Sequence, residues 1–382
     1  MNTAFVFSSA ALRYDLGQHH PFKAIRPEAV KSLLEHSGLL RAEHVFEPEM
    51  ASLESLLGVH NKSYVTRVMR ASRGEDVPDC ADYGIGTSDT PIFAGMHEAT
   101  SLVVGGTLLA AQLVGSGKYT RALNLSGGLH HAQSNKGGGF CVYNDLSVAI
   151  SHLRSIGLRV AYLDIDAHHG DGVQWIHYDD PDVLTISFHE TGRYLYPGTG
   201  FVYELGRGAA LGTSLNVPLE PYTQNSSFLE AMERVLKPAL GWFQPDVLVL
   251  QAGADAHLFD PLADLALTMP GYLAMFKRIV YYAQTFTNGQ IVATGGGGYA
   301  TWTAVPRVWG SLYAALSDQT LPHQLPTSWL EAWQAHSSEE IPKTLDDPEP
   351  DIPRAAEIAV RNARTVSQLL ELWQGITKFR ID

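Results

Sequence analysis

Short apolar, β-branched runs recur along the chain at Ala122–Leu125, Val160–Ile165, Val183–Phe188, Val247–Gln251 and Ile291–Thr294. Runs of this kind, with no polar alternate face, predict strands buried on both sides, as in a parallel sheet. Helix-like sequence separates them. Asn144 or Asp145 can cap a helix reaching about Ile156, while Ser226–Leu240 and Gly271–Phe286 carry a helical apolar period. Strands alternating with helices predict an α/β fold, a mostly parallel central sheet with helices on both faces.

Beyond the last run, residues 321–353 are rich in Pro, Ser, Asp and Glu and lead into an amphipathic stretch, Ala355–Trp373. The pattern reads as a surface connection, its acidic part near Asp346–Asp351 solvated, followed by a C-terminal packing helix. A lone helix of some 20 residues cannot bury a core, so residues 1–382 read as a single domain. No internal repeat or low-complexity block interrupts it.

Composition narrows the function classes. Apolar residues make up 45% and charged residues 18%, ordinary values for a globular chain. A net charge of −13 offers no basic face for phosphates, which argues against direct nucleic-acid binding. It favours cationic partners such as lysine-rich peptides, although acidity also serves solubility alone. With only Cys80 and Cys141, neither a disulfide framework nor a cysteine zinc site is supported, and a reducing compartment fits. The opening Met1–Phe7 lacks a basic n-region, and no run reaches about 18 uninterrupted apolar residues. A cytoplasmic, non-membrane protein is expected. The sequence leaves oligomeric state open.

The chemistry gathers where the predicted strands end, the place where open parallel sheets bind ligands. Ser126-Gly127-Gly128-Leu129-His130-His131 follows the first run, Asp164-Ile165-Asp166-Ala167-His168-His169-Gly170-Asp171 the second, Gly253-Ala254-Asp255 the fourth and Gly295-Gly296-Gly297-Gly298-Tyr299 the fifth. In extended chain Asp164, Asp166 and His168 project to one side, so two of them can grip one ion while the third supports the site. Asp255, at the end of an apolar strand, is the candidate third ligand. Three ligands and an open position describe catalytic zinc; two carboxylates and one imidazole also suit Fe²⁺. A salt-bridged acidic loop is the bland alternative.

His130 and His131 can divide the proton transfers that a metal-bound water requires, with Asp164 and Asp171 orienting their far ring nitrogens. A His–His pair alone means little, since His19–His20 is another. Strand-end position and flanking glycines distinguish 130–131. Tyr299, after four glycines, can donate its phenol to a developing oxyanion. A phosphate loop is the competing reading of the glycines, but no Walker spacing follows.

At these residues the sequence resembles the zinc-dependent histone deacetylase superfamily, in particular its bacterial deacetylase-like and acetoin-utilisation-type members. The likeness spans roughly residues 12–315. It is carried by Gly127–Ala132, Gly139–Asp145, Asp164–Gly172, Tyr196-Pro197-Gly198-Thr199-Gly200 and Gly295–Tyr299.

The resemblance implies the arginase–deacetylase fold and hydrolysis of the N6-acetyl-lysine amide in a protein or peptide substrate. Zinc would be held by Asp166, His168 and Asp255. His131 would be the main general base and acid, His130 its electrostatic partner, and Tyr299 the group polarising the carbonyl. It further implies a structural K⁺ near Asp164, Ser187 and the main chain of Asp166, His168 and Phe188. Phe140 and Tyr196 match the aromatic walls of an acyl-lysine channel and Leu262 a third wall. Gly139 and Gly297 fall among the substrate-binding positions. Asp89 resembles a rim aspartate, with loop spacing off by about one residue, and Arg26 an arginine lining an acetate exit. Tyr196 stands where Phe is common. His257, two residues past a zinc ligand, is not assigned by the resemblance and reads as a rim residue or substrate filter.

Three other readings compete. A binuclear ureohydrolase shares the fold but needs a second metal and more carboxylates, and leaves Tyr299 unexplained. An acetylpolyamine amidohydrolase would want an acid at the channel mouth; Leu262 argues against it, while Asp260 and Asp264 lie close by. A catalytically silent metal-binding module would leave every catalytic residue type idle.

Overall fold

The computed structural model describes residues 3–378; Met1, Asn2 and residues 379–382, which the single-domain and leader readings also span, lie outside the described residues. Eight strands form one sheet: β1 (Thr3–Val6), β2 (Val45–Phe46), β3 (Arg121–Asn124), β4 (Val160–Asp164), β5 (Val183–Glu190), β6 (Ser214–Leu219), β7 (Val247–Gln251) and β8 (Ile291–Thr294). Their order is β2-β1-β3-β8-β7-β4-β5-β6, and every pairing is parallel. An all-parallel central sheet is the α/β architecture expected from the sequence.

The five apolar runs are β3, β4, β5, β7 and β8. Alternation inside them sends side chains to two apolar faces. Val247 and Val249 join a cluster with Val114, Leu146 and Leu153; Leu248 and Leu250 join a larger one with Val235, Ile279 and Val308. Helices therefore cover both faces, as a parallel sheet requires. Among them are Met96–Gly115 and Asp145–Ser155 on one side and Asn225–Phe243, Met269–Phe286 and Val305–Leu316 on the other. Asn144 caps its helix by accepting the Ser147 N–H at 2.8 Å. Met96–Gly115 is long and apolar enough to span a membrane, yet 67% of its apolar window is buried in the fold.

Three strands escaped the sequence reading. β1 occupies the segment weighed only as a leader, β2 has two residues, and β6 carries Pro218. β2 and β6 are the sheet edges, where short strands and proline are tolerated.

Residues 321–353 are more than a surface connection. They contain the helix Thr327–Trp333 and bury Leu321, Leu325, Trp329, Ile341 and Leu345, with the Trp329 indole donating to Ala29 O at 3.0 Å. Nor is the acidic stretch wholly solvated, because the Asp347 side chain is 1% exposed. The final helix runs Ala355–Thr377 and buries Val366, Leu369 and Trp373.

One row of the sheet register sets the site. Asn124, Thr294, Gln251, Asp164 and Ser187 are successive partners across β3, β8, β7, β4 and β5. The loops after these strands leave from one line.

Candidate metal-dependent active site

Asp166, His168 and Asp255 bring one donor atom each to within 4.8 Å of one another, all three residues buried. His168 Nδ1 lies 3.1 Å from Asp166 Oδ1 and 3.0 Å from Asp255 Oδ2. The outer oxygens are already engaged: Asp166 Oδ2 accepts from Gln251 Nε2 at 2.6 Å and Gly297 N at 2.7 Å, and Asp255 Oδ1 from Ala167 N at 2.8 Å. Each carboxylate is thus aimed, with its other oxygen toward His168, whose backbone N–H also donates to Asp166 Oδ1 at 3.0 Å.

Among the described residues, no lysine or arginine donates to either carboxylate. Burial pushes the Asp255 carboxyl up, and the neighbouring Asp166 charge pushes the same way. Two buried carboxylates so placed call for a cation, and this donor set suits a hard-to-borderline divalent ion. Close packing permits the arrangement: a Cβ on Gly297 would stand 1.9 Å from Asp255 Oδ2.

Beside the cluster, His130 and His131 meet Nε2 to Nε2 at 3.1 Å. His130 Nδ1 donates to Asp164 Oδ2 at 2.8 Å and His131 Nδ1 to Asp171 Oδ1 at 2.7 Å. Both rings are buried, but they titrate apart. Burial alone would lower His130, yet the Asp164 and Asp166 charges and the Asp164 hydrogen bond outweigh it and raise it to about 9. His131 is lowered to about 4 by burial and the His130 charge, against the pull of Asp171. One imidazolium beside one neutral imidazole is an acid–base pair.

Tyr299 sits opposite, its ring 6.5 Å from that of His168 and 5.6 Å from that of Phe140. Its N–H donates to Asp260 Oδ2 at 2.7 Å, and Arg26 Nη1 clamps the same glycine loop through Gly296 O at 3.0 Å and Gly298 O at 2.8 Å. Phe140 and Tyr196 flank the pair of histidines, Tyr196 edge-on to His131 at 5.0 Å. Phe140 holds φ at +68°, and Tyr14 donates to its carbonyl. A non-glycine residue in that region is uncommon, and surrounding contacts must hold it there.

A narrow pocket of about 20 Å³ lies between Gly128, His130, His131, Phe140, Gly297 and Tyr299, room for a water. Phe22 lines both this pocket and a smaller one beside Arg26. Outward, an open groove runs past His19, His20, Asp89 and Phe140.

The remaining sequence candidates distribute as follows. Asp164 and Ser187 pair across β4 and β5; Ser187 Oγ contacts His189 Nδ1 at 2.7 Å, and the Phe188 ring points into the core. Asp89 lies in the open groove beside Phe140, accepting Gly139 N at 2.8 Å. The N–H groups of Gly139 and Gly297 are therefore taken by Asp89 and Asp166. Leu262 is half-buried, its N–H donated to Asp260 Oδ1 at 3.0 Å. Asp260 accepts N–H groups from Leu262, Tyr299 and Ala300, so it is a buried brace with no free place at the mouth. His257 is no rim residue: it is fully buried against Asp347.

Sequence reasoning missed several supports. Gln251 steadies Asp166, and Tyr162 donates to Asp164 Oδ2 at 2.5 Å. Asp145 accepts Gly128 N and Leu129 N, fixing the loop before the histidines. Gln133 donates to Asp171 Oδ2 at 3.1 Å, and His20 packs edge-on against Phe140 at 4.4 Å. Only Asp145, as a helix-start acid, carried a local signal.

Known proteins resemble this chain in sequence and in fold. The histone deacetylase domain family matches residues 20–316. The acetoin utilization protein AcuC of Bacillus subtilis (strain 168) is 42% identical over 374 residues, covering 97% of each chain. AcuC of Staphylococcus aureus (strain MRSA252) is 39% identical over 379 residues, covering 98% of this chain and 97% of that one. Among solved structures, a histone deacetylase homologue complexed with SAHA superposes with a TM-score of 0.86 at 29% identity, over 96% of this chain and 100% of that one. A homologue from Aquifex aeolicus gives 0.84 at 29% identity, over 95% and 100%.

Proposed function

Because the chain belongs to the histone deacetylase family, as an amide hydrolase of the acetoin-utilisation type, we propose that it removes acetyl groups from N6-acetyl-lysine in a protein or peptide. The observation that carries this reading is the convergence of the Asp166–His168–Asp255 cluster, the His130–His131 pair and Tyr299 at the floor of a passage flanked by Phe140 and Tyr196. Aromatic walls suit the methylenes of an acylated lysine and disfavour the charged, deacylated side chain. The Asp260 carboxylate is occupied by three backbone N–H groups and has no oxygen to spare for a polyamine ammonium.

Zinc at Asp166, His168 and Asp255, or Fe²⁺ in its place, supplies Lewis-acid polarisation of the amide carbonyl and an acidified water when bound. His131 Nε2 takes the water proton, its Nδ1–H kept on Asp171 so that Nε2 is the nitrogen that carries the lone pair. Tyr299 donates its phenol proton in a hydrogen bond to the oxygen that gains charge as the carbonyl becomes tetrahedral. His131 then returns the proton to the departing lysine nitrogen, while His130, charged and paired with Asp164, supplies a fixed positive field. Acetate leaves toward Arg26. Asp164 and Ser187, with main-chain oxygens nearby, are the groups proposed to hold K⁺, and the two free buried cysteines suit a cytoplasmic enzyme.

The test is release of a fluorogenic amine from an acetyl-lysine peptide by zinc-loaded wild type and Tyr299→Phe. Loss of one oxyanion donor should lower kcat about a hundredfold or more. Equal turnover by both would remove Tyr299 from the mechanism.

A further inference from the structure

His257 carries an unexpected connection. Its Nε2 meets Asp347 Oδ2 at 2.9 Å and its Nδ1 accepts the Phe259 N–H at 3.2 Å. Asp347 enters from beyond residue 316, where the family domain match ends. The same carboxylate accepts Met269 N at 2.6 Å and Arg307 Nη1 at 2.7 Å. None of the three side chains of His257, Asp347 and Arg307 is more than 1% exposed.

The turn held in this way links two parts of the site. Asp255 lies two residues before His257, whose N–H closes back on Ala254 O at 3.3 Å and whose carbonyl accepts Asp260 N at 2.8 Å. Asp260 in turn accepts Tyr299 N at 2.7 Å and Ala300 N at 3.3 Å. Arg307 sits in the first turn of Val305–Leu316, the helix that follows the Tyr299 loop. One carboxylate thus ties the loop after β7, the first turn of Val305–Leu316 and the start of Met269–Phe286.

We propose that Asp347, acting through His257, is a positioning residue for the reaction: it fixes the 254–260 turn so that Asp255 and Tyr299 keep their relative placement. The inference rests on the roles given above to those two residues. Stability alone explains the cluster poorly, because a buried ion pair is often no better than apolar side chains of similar volume. Charge-assisted hydrogen bonds hold geometry tightly, and a displacement of about 1 Å at a reacting centre costs on the order of a hundredfold in rate.

His257→Leu tests it, since Asp347 keeps its bonds to Arg307 and Met269 and the ion pair survives. Four quantities are read: melting temperature, kcat, KM, and zinc affinity of the metal-free protein by competition with a chromogenic chelator. The expected result is a loss of about tenfold in zinc affinity and about tenfold in kcat. KM should stay within about twofold. His257→Gln, which keeps a donor toward Asp347, should recover most of both. A lowered melting temperature with zinc affinity and kcat within about twofold of wild type overturns the proposal. Should His257→Leu fail to fold, Asp347→Asn is read by the same quantities and the same criteria. Weakened zinc binding in a protein whose every form is inert on acetyl-lysine would uphold the positioning role and sink the substrate reading.

Discussion

His130 and His131 face each other Nε2 to Nε2 at 3.1 Å, each with its other ring nitrogen on a separate buried aspartate, Asp164 and Asp171. Adjacent in sequence, they occupy opposite electrostatic environments. His131→Ala should lower kcat by about a hundred- to ten-thousandfold, the range for a lost acid–base group. His130→Asn should cost less, because it removes a field rather than the proton carrier. Steady-state kinetics on the acetyl-lysine peptide compares them; equal losses would mean that both rings move protons.

Metal binding should show in stability as well as in activity. Asp166 and Asp255 repel each other until a cation joins them, so an exhaustive chelator should abolish turnover and lower the melting temperature. Zinc at about a hundred times its dissociation constant contributes about 2.7 kcal/mol to the folded state. Calorimetry with and without zinc checks this, and an Asp255→Asn variant should lose the metal-dependent part. No shift with zinc would contradict the cluster's role.

Two buried histidines remote from the cluster predict acid sensitivity. His60 bonds Gln133 O through Nδ1 at 3.0 Å and accepts Asn144 N at 2.9 Å on Nε2, and His177 is also buried. Burial lowers both from 6.5 to about 4. Depressed values mean that the fold keeps them neutral while the unfolded chain protonates first. Their contribution is full above pH 6.5 and is lost as pH falls toward about 4. Each should cost about 2 kcal/mol between about pH 7.5 and about pH 5. Urea unfolding at the two pH values measures it. In His60→Gln the pH dependence should shrink by its share; an unchanged slope would contradict the assignment.

How much of this was legible in sequence follows from where information is local. β4 and β7 were readable because both faces are apolar and the strands are central. β2 and β6 were not, since edge strands are short or carry Pro218 and are held by their neighbours. The triad was legible because Asp166 and His168 lie two residues apart just past β4, and Asp255 lies in the loop that follows the apolar strand β7. His257 was misread as a rim residue for the opposite reason: Asp347, its partner, lies 90 residues away. Asp260 was likewise ambiguous, a candidate for the channel mouth until its oxygens were found on the Tyr299 and Leu262 amides.

Substrate preference is measured as kcat/KM of the zinc-loaded protein on an acetyl-lysine peptide and on acetylated putrescine under identical conditions. With the Asp260 oxygens taken by backbone N–H groups, the peptide should be preferred by at least about tenfold, since rejecting a cationic substrate needs only one unpaired charge. Preference for acetylputrescine, or turnover of it alone, would contradict the account and make the enzyme a small-molecule amide hydrolase.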